Sequence, residues 1–269
     1  MAAGERSIPM LASLRAPRPV GVASGSGATT PHPTVEELRE ALAHPDPQLR
    51  FDVAWALFNN GAPAEQALIG GLIAGLDTKY SRGLAANAIG RIGRPARAAV
   101  PRLAALLADE DALCRADAAR ALVTMRQYAQ EAVPALARLL GGRDEQCRYL
   151  AADALASIGP GASAAVPALS AAINDPDEMC RRSAVQALGS IGPGAVAAVP
   201  ALMTLLRDPE NACYEDAAAA LGKIGPAAVA AVPALRALAG DPDSLLSLET
   251  EDALKLIEGN RKLAKPGRS

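Results

Sequence analysis

Four cysteines recur at a fixed spacing of 33 residues, as Cys114-Arg115, Cys147-Arg148, Cys180-Arg181 and Cys213-Tyr214. A thiol beside a guanidinium can be an activated nucleophile, because nearby positive charge stabilises the thiolate. A row of thiols could also close into disulfides or collect a metal. Neither geometry suits this spacing. Equivalent residues of stacked helical repeats lie about 8 to 10 Å apart, whereas a disulfide needs Cα atoms within about 7 Å. No Cys-x-x-Cys pair offers a zinc site. The two histidines, His32 and His44, are each followed by proline. No Cys/His or Ser/His/Asp arrangement can therefore be assembled away from the N-terminal end. Glycines fall at repeat ends rather than in a phosphate-cradling loop, and Asp109 and Asp111 sit in a turn, where helix capping accounts for them. These observations imply a protein that is not an enzyme, with no catalytic residue, metal ligand or cofactor.

The elements that position the cysteines follow from the same period. "AVP" ends at Pro101, Pro134, Pro167, Pro200 and Pro233, and Ile-Gly recurs at Ile92-Gly93, Ile158-Gly159, Ile191-Gly192 and Ile224-Gly225. The third repeat replaces it with Met125-Arg126-Gln127. Arg50 and Arg82 mark two further units upstream, giving about seven between Thr34 and Gly259. Each unit divides into two helical patterns. The first starts near the proline and ends at an acidic turn such as Asp175-Pro176-Asp177 or Asp208-Pro209-Glu210. The second closes on glycine, the expected stop. Whether each proline occupies the first helical turn or bends the helix is left open by the pattern. Half of the residues are apolar but only 3% are aromatic, a mixture that suits close packing of Ala- and Leu-rich helices.

Cys180, Ala184, Ala187, Leu188 and Ile191 follow a helical stripe, so the cysteine is expected to be the buried first member of a packing ladder. The arginine column of Arg50, Arg82, Arg115, Arg148 and Arg181 is expected to pair with turn carboxylates such as Asp109 or Asp175 and so tie repeats together. Position 120 points away from the buried stripe. Its column reads Trp55, Asn87, Arg120, Asp153, Gln186 and Ala219, different in every repeat. Flanking columns add Phe51, Tyr149, Arg182 and Glu215 on one side and Leu84, Asp117, Leu150 and Asp216 on the other. Tyr80, Leu113, Gln146 and Met179 lie one turn earlier. The partner-binding surface expected from these columns comprises Phe51, Trp55, Tyr80, Leu84, Asn87, Leu113, Arg120, Tyr149, Leu150, Asp153, Met179, Arg182 and Gln186. Aromatic, Met and Arg side chains favour such a role. Burial of Phe51 and Trp55 within the end repeat is the competing reading.

The pattern C-R-x-x-A-x-x-A-L-G-x-I-G-P-x-A-x-x-A-V-P-x-L resembles the HEAT-like repeat of the phycobilisome-lyase type over residues 34–259. The resemblance implies an all-α, right-handed α-solenoid of about seven two-helix repeats. It also implies a choice of roles. Relatives of this type act as protein-binding scaffolds, as bilin lyases, as a metal-dependent hydroxylase that uses His-Glu pairs, and as DNA glycosylases. This chain has no His-Glu pairs, so the hydroxylase chemistry is not carried over.

The net charge is −2. Residues 34–126 carry 11 basic and 11 acidic residues, whereas residues 127–259 carry 9 against 17, a balance of −8. An acidic half argues against phosphate neutralisation and hence against nucleic acid as partner. No apolar run of the length a membrane span requires is evident. Residues 1–33 read as a flexible tail and residues 260–269 as a basic one. The expected function is a cytoplasmic scaffold, adaptor or accessory subunit of a larger complex, binding a partner protein or peptide along its concave face. A bilin-lyase-like chromophore-attachment or chaperone factor is the alternative.

Overall fold

Asp46, Asp111, Asp144 and Asp177 each begin a helix by accepting a hydrogen bond from a backbone N–H of its first turn. This satisfies donors that a helix start leaves without partners. The structure is a computed structural model that describes residues 40–208, 211–240 and 247–259. The tails expected over 1–33 and 260–269 lie outside the described residues, as do Pro209 and Glu210. Among the described residues there are helices and turns but no strand. The chain divides into two units, residues 1–92 and 93–269.

In the first unit, α1 (Pro47–Asn59), α2 (Gln66–Gly75) and α3 (Arg82–Ile92) follow one another. Gly71 and Gly75 let α2 approach α1 closely. A side chain at Gly71 would meet Ala54 Cβ at 2.7 Å, and one at Gly75 would run into the Phe51 ring. The glycine faces thus provide the slot in which Phe51 is buried.

In the second unit, five helix pairs repeat: α4 (Val100–Leu106) with α5 (Ala112–Met125), α6 (Val133–Leu139) with α7 (Glu145–Ile158), α8 (Val166–Ala172) with α9 (Glu178–Ile191), α10 (Val199–Leu205) with α11 (Tyr214–Ile224), and α12 (Val232–Ala239) with α13 (Ser247–Glu258). Within this unit the repeated pairs form the expected helical-repeat solenoid. The core is the set of columns read from the sequence. Cys147, Cys180 and Cys213 are fully buried and Cys114 nearly so, alongside Ala118, Leu122, Ala151, Leu155, Ala184 and Leu188.

The structure adds detail that the pattern left open. Each "AVP" proline lies in the first turn of its helix, where its missing N–H costs nothing. The glycine does not simply stop the second helix. Gly159, Gly192 and Gly225 adopt φ near +70° and lead into a 3-10 segment that runs to the next first helix. Taken end to end, Glu145–Ala172, Glu178–Leu205 and Tyr214–Ala239 are long and apolar enough to cross a membrane by length and composition. This corrects the expectation that no such stretch exists. Each is interrupted at its positive-φ glycine, and about half of it is buried within the protein.

The third repeat breaks the rule. Arg126 takes the glycine's place with φ 52° and ψ −133°, matching Gly159 at 70° and −133°. A side chain in this region costs about 1 to 3 kcal/mol, partly offset because glycine loses more entropy on folding. Arg126→Gly is expected to stabilise the protein by about 1 kcal/mol, read as a raised denaturation midpoint. Gly192→Ala is expected to do the opposite.

Candidate functional site

The second helix of each pair exposes a narrow strip between its buried columns. In α9 that strip is Met179, Arg182 and Gln186. In α5 it is Leu113, Asp117 and Arg120, and in α7 it is Gln146, Tyr149 and Asp153. Leu113 is 70% exposed and Met179 53% exposed, unusual for large apolar side chains in so regular a packing. Tyr149 and Asp153 are half-buried.

Charges on the strip are arranged across repeats. Arg182 Nε donates to Asp216 Oδ2 of α11 at 3.1 Å, and Gln186 Nε2 donates to Asp216 Oδ1 at 3.3 Å. One carboxylate thus orients both side chains. Arg120 pairs with Asp117 at 2.8 Å. Burial raises the Asp117 carboxyl despite this guanidinium. Asp153 is different: its carboxyl is raised by burial, and it makes no hydrogen bond or ion pair among the described residues.

Two expected strip residues are placed elsewhere. Leu150 is 5% exposed and belongs to the core. Its column also holds Asp117, Ser183 and Asp216 and forms the border of the strip: Leu150 and Ser183 are buried there, while Asp117 is half-buried. Phe51, 4% exposed, is likewise core. Trp55, in the same unit, is half-buried, stacked on Phe51 at 5.9 Å and tilted against Phe58 at 6.2 Å. On α3 and the turn before it, Tyr80 is 90% exposed, and Leu84 and Asn87 are exposed.

The arginine column is more specific than expected. Arg50, Arg115, Arg148 and Arg181 each use Nη1 to donate to the two backbone carbonyls just before their own helix, such as Asp109 O at 2.8 Å and Glu110 O at 3.0 Å for Arg115. Arg115 therefore reads the Asp109 carbonyl. The expected tie between repeats is present at Arg148, whose Nε and Nη2 grip Asp175 at 2.7 and 2.8 Å. Three of the thiols, Cys147, Cys180 and Cys213, are held toward their protonated form. Burial, with Asp175 nearby, pushes Cys180 up to about 12, and burial raises Cys147 and Cys213. Cys147 Sγ donates to Ala112 O at 3.6 Å. Among the described residues, no three His, Cys, Asp or Glu converge as a metal-ligand set.

Sequence patterning missed the outer segments. Val196 and Val229, 33 residues apart on 3-10 segments, are exposed, and Tyr128 carries Arg94 and Arg97 against its ring at 5.0 and 6.0 Å. The common phase of Val196 and Val229 in the repeat was the available signal.

Comparison with known proteins places these features. A family model described as HEAT repeats matches residues 69–156, 134–212 and 166–255. A search of curated proteins finds no match. Among solved structures, an engineered protein is similar at 26% identity, with 83% of this chain and 68% of that chain covered and a TM-score of 0.59. A designed armadillo repeat protein in complex with the peptide (KR)4 is similar at 20% identity, with 69% and 98% covered and a TM-score of 0.56. The complex of CpcE and CpcF of phycocyanin lyase from Nostoc sp. is 26% identical, with 89% and 99% covered and a TM-score of 0.46.

The Arg148–Asp175 pair yields a pH prediction. Burial raises the Asp175 carboxyl, but hydrogen bonds from Arg148 and the Asp177 backbone outweigh it and hold it low. A depressed carboxyl contributes stability above its ordinary value of about 3.9, and that contribution is lost as pH falls through the folded value. Asp175→Asn is expected to cost about 3 kcal/mol at pH 7, with the gap to wild type narrowing below about pH 4. Denaturant midpoints measured across pH check this, and parallel curves would contradict it.

Proposed function

We propose that this chain, which belongs to the family of HEAT-repeat proteins, is a non-catalytic scaffold or adaptor that binds an extended segment of a partner protein along the exposed strip of its second helices. The observation that carries the reading is the contrast between columns. The buried positions repeat nearly unchanged, while the strip positions differ from repeat to repeat and include the exposed Leu113 and Met179 and the half-buried Tyr149 among charged neighbours. Side chains freed from packing can diverge, and exposed apolar residues with fixed polar groups between them suit a peptide read one pocket at a time. Arg182 and Gln186, already oriented by Asp216, lose less freedom on binding than free side chains would. The fold supports the same reading, since a designed armadillo repeat protein with a similar fold is in complex with a peptide.

Non-catalytic action agrees with the buried, protonated thiols and with carboxylates engaged in capping and inter-repeat pairs. In the first unit, Tyr80 and Leu84 offer a comparable exposed surface. Trp55 is a poor probe there, because removing it also removes its ring contacts with Phe51 and Phe58.

The test is affinity capture of partner proteins by wild type and by the double variant Leu113→Ser/Met179→Ser, with Tyr80→Ser assayed separately. Both sites are exposed, so stability should change by no more than about 0.5 kcal/mol per substitution. Capture of the specific partner by the double variant should fall by about tenfold or more. Undiminished capture by every variant, with stability unchanged, would overturn the reading.

A further inference from the structure

The turn before each second helix of the second unit has a fixed design, and one copy departs from it. Positions 109, 142, 175 and 208 are equivalent and read Asp, Gly, Asp and Asp. Where the aspartate is Asp175, it receives the Nε and Nη2 edge of Arg148 from the preceding repeat at 2.7 and 2.8 Å. Arg115 is the equivalent of Arg148 one repeat earlier. Its Nη1 is fixed by the Asp109 and Glu110 carbonyls, and the place of its carboxylate is taken by Gly142. Arg115 makes no ion pair among the described residues.

The backbone is not the reason for the glycine. Gly142 N donates to Leu139 O at 2.9 Å, just as Asp175 N donates to Ala172 O at 3.0 Å. Gly142 has no positive φ, and a Cβ there would meet the Leu139 carbonyl oxygen at 3.0 Å, a contact relieved by a shift of a few tenths of an ångström. Around the glycine lies a cavity of about 410 Å³ whose lining includes Arg115, Arg138, Gly142, Arg143 and Asp144. Neither Arg138 nor Arg143 has a side-chain hydrogen bond or ion pair among the described residues. Asp144 is the one carboxylate in the lining, and its Oδ1 is engaged by the Cys147 N–H. Three guanidinium groups against one carboxylate leave a net charge of two at a site whose sister holds a bidentate oxyanion.

We propose that the cavity between α5 and the α6–α7 turn is a binding site for a phosphoryl dianion, with Arg115 supplying the planar fork and Arg138 and Arg143 the additional charge. A carboxylate fills the sister site with one charge. Here the excess of two positive charges matches a dianion, and guanidinium forks suit phosphate as well as they suit carboxylate. The site lies on the turn edge of the repeats and is separate from the strip of second-helix residues. Its occupant could be free phosphate or a phosphorylated side chain, since both present the same group.

The test is calorimetric titration of the full chain with inorganic phosphate and with O-phosphoserine at constant ionic strength, with acetate as a monoanionic control. Gly142→Asp installs the carboxylate of the other repeats. It should raise the melting temperature and weaken phosphate binding by about tenfold or more. Arg143→Met, at an exposed side chain, should weaken it without loss of folding. Tighter binding of either phosphate or phosphoserine supports the site and identifies its source. Acetate binding as tightly as phosphate, phosphate affinity unchanged in Arg143→Met, or no detectable phosphate binding to wild type would each overturn the proposal.

Discussion

The second helices depend on a small set of carbonyl groups. At four of these helices the turn that leads in presents two backbone carbonyls, and the fourth residue of the helix answers them with a guanidinium Nη1. Arg50, Arg115, Arg148 and Arg181 all do this. Once the carbonyls fix Nη1, the Nε and Nη2 edge of the planar group is left to reach another partner, as it does at Arg148. At Arg148 it meets Asp175, largely buried. Turn geometry and the tie to the following repeat therefore meet in a single side chain at Arg148. A lysine, lacking the fork, could not hold both the carbonyls and the carboxylate.

This constraint explains why the cysteine beside each arginine carries no chemistry. With the arginine committed to the turn, its neighbour one residue earlier falls on the buried stripe. There a small, polarisable side chain fits against the preceding repeat, as Cys147 does at Ala112. The nearest cations are engaged by carbonyls and carboxylates, and burial raises the thiols instead of activating them. Position in the repeat, more than proximity of charge, decides what these thiols can do.

Most of the fold was legible because the chain states it several times over. The 33-residue period, the glycines with positive φ and the prolines of the first turn each have one physical meaning and recur. What escaped were features set by pairs of elements. The burial of Phe51 depends on Gly75, 24 residues away on another helix, and no periodic rule links them. Leu150 sits on a border column whose members differ in burial from repeat to repeat. The 3-10 segments escaped because glycine followed by proline reads as a stop in any helix. Of the candidate surface, Leu113, Arg120, Met179, Arg182 and Gln186 were legible as exposed from their phase alone. The role of Asp216 in orienting two of them was not, because it rests on contact between adjacent repeats.

The central claim is that the regular residues are scaffold and that function resides where regularity fails, on the strip and at the Gly142 turn. The claim is tested most directly by thiol accessibility, counted by mass spectrometry after alkylation of the native and the unfolded chain. The account predicts that Cys147, Cys180 and Cys213, with Cys114 nearly as protected, stay unmodified in the native protein and are all modified on unfolding. Rapid modification of any of the three fully buried thiols in the native protein at neutral pH would contradict it.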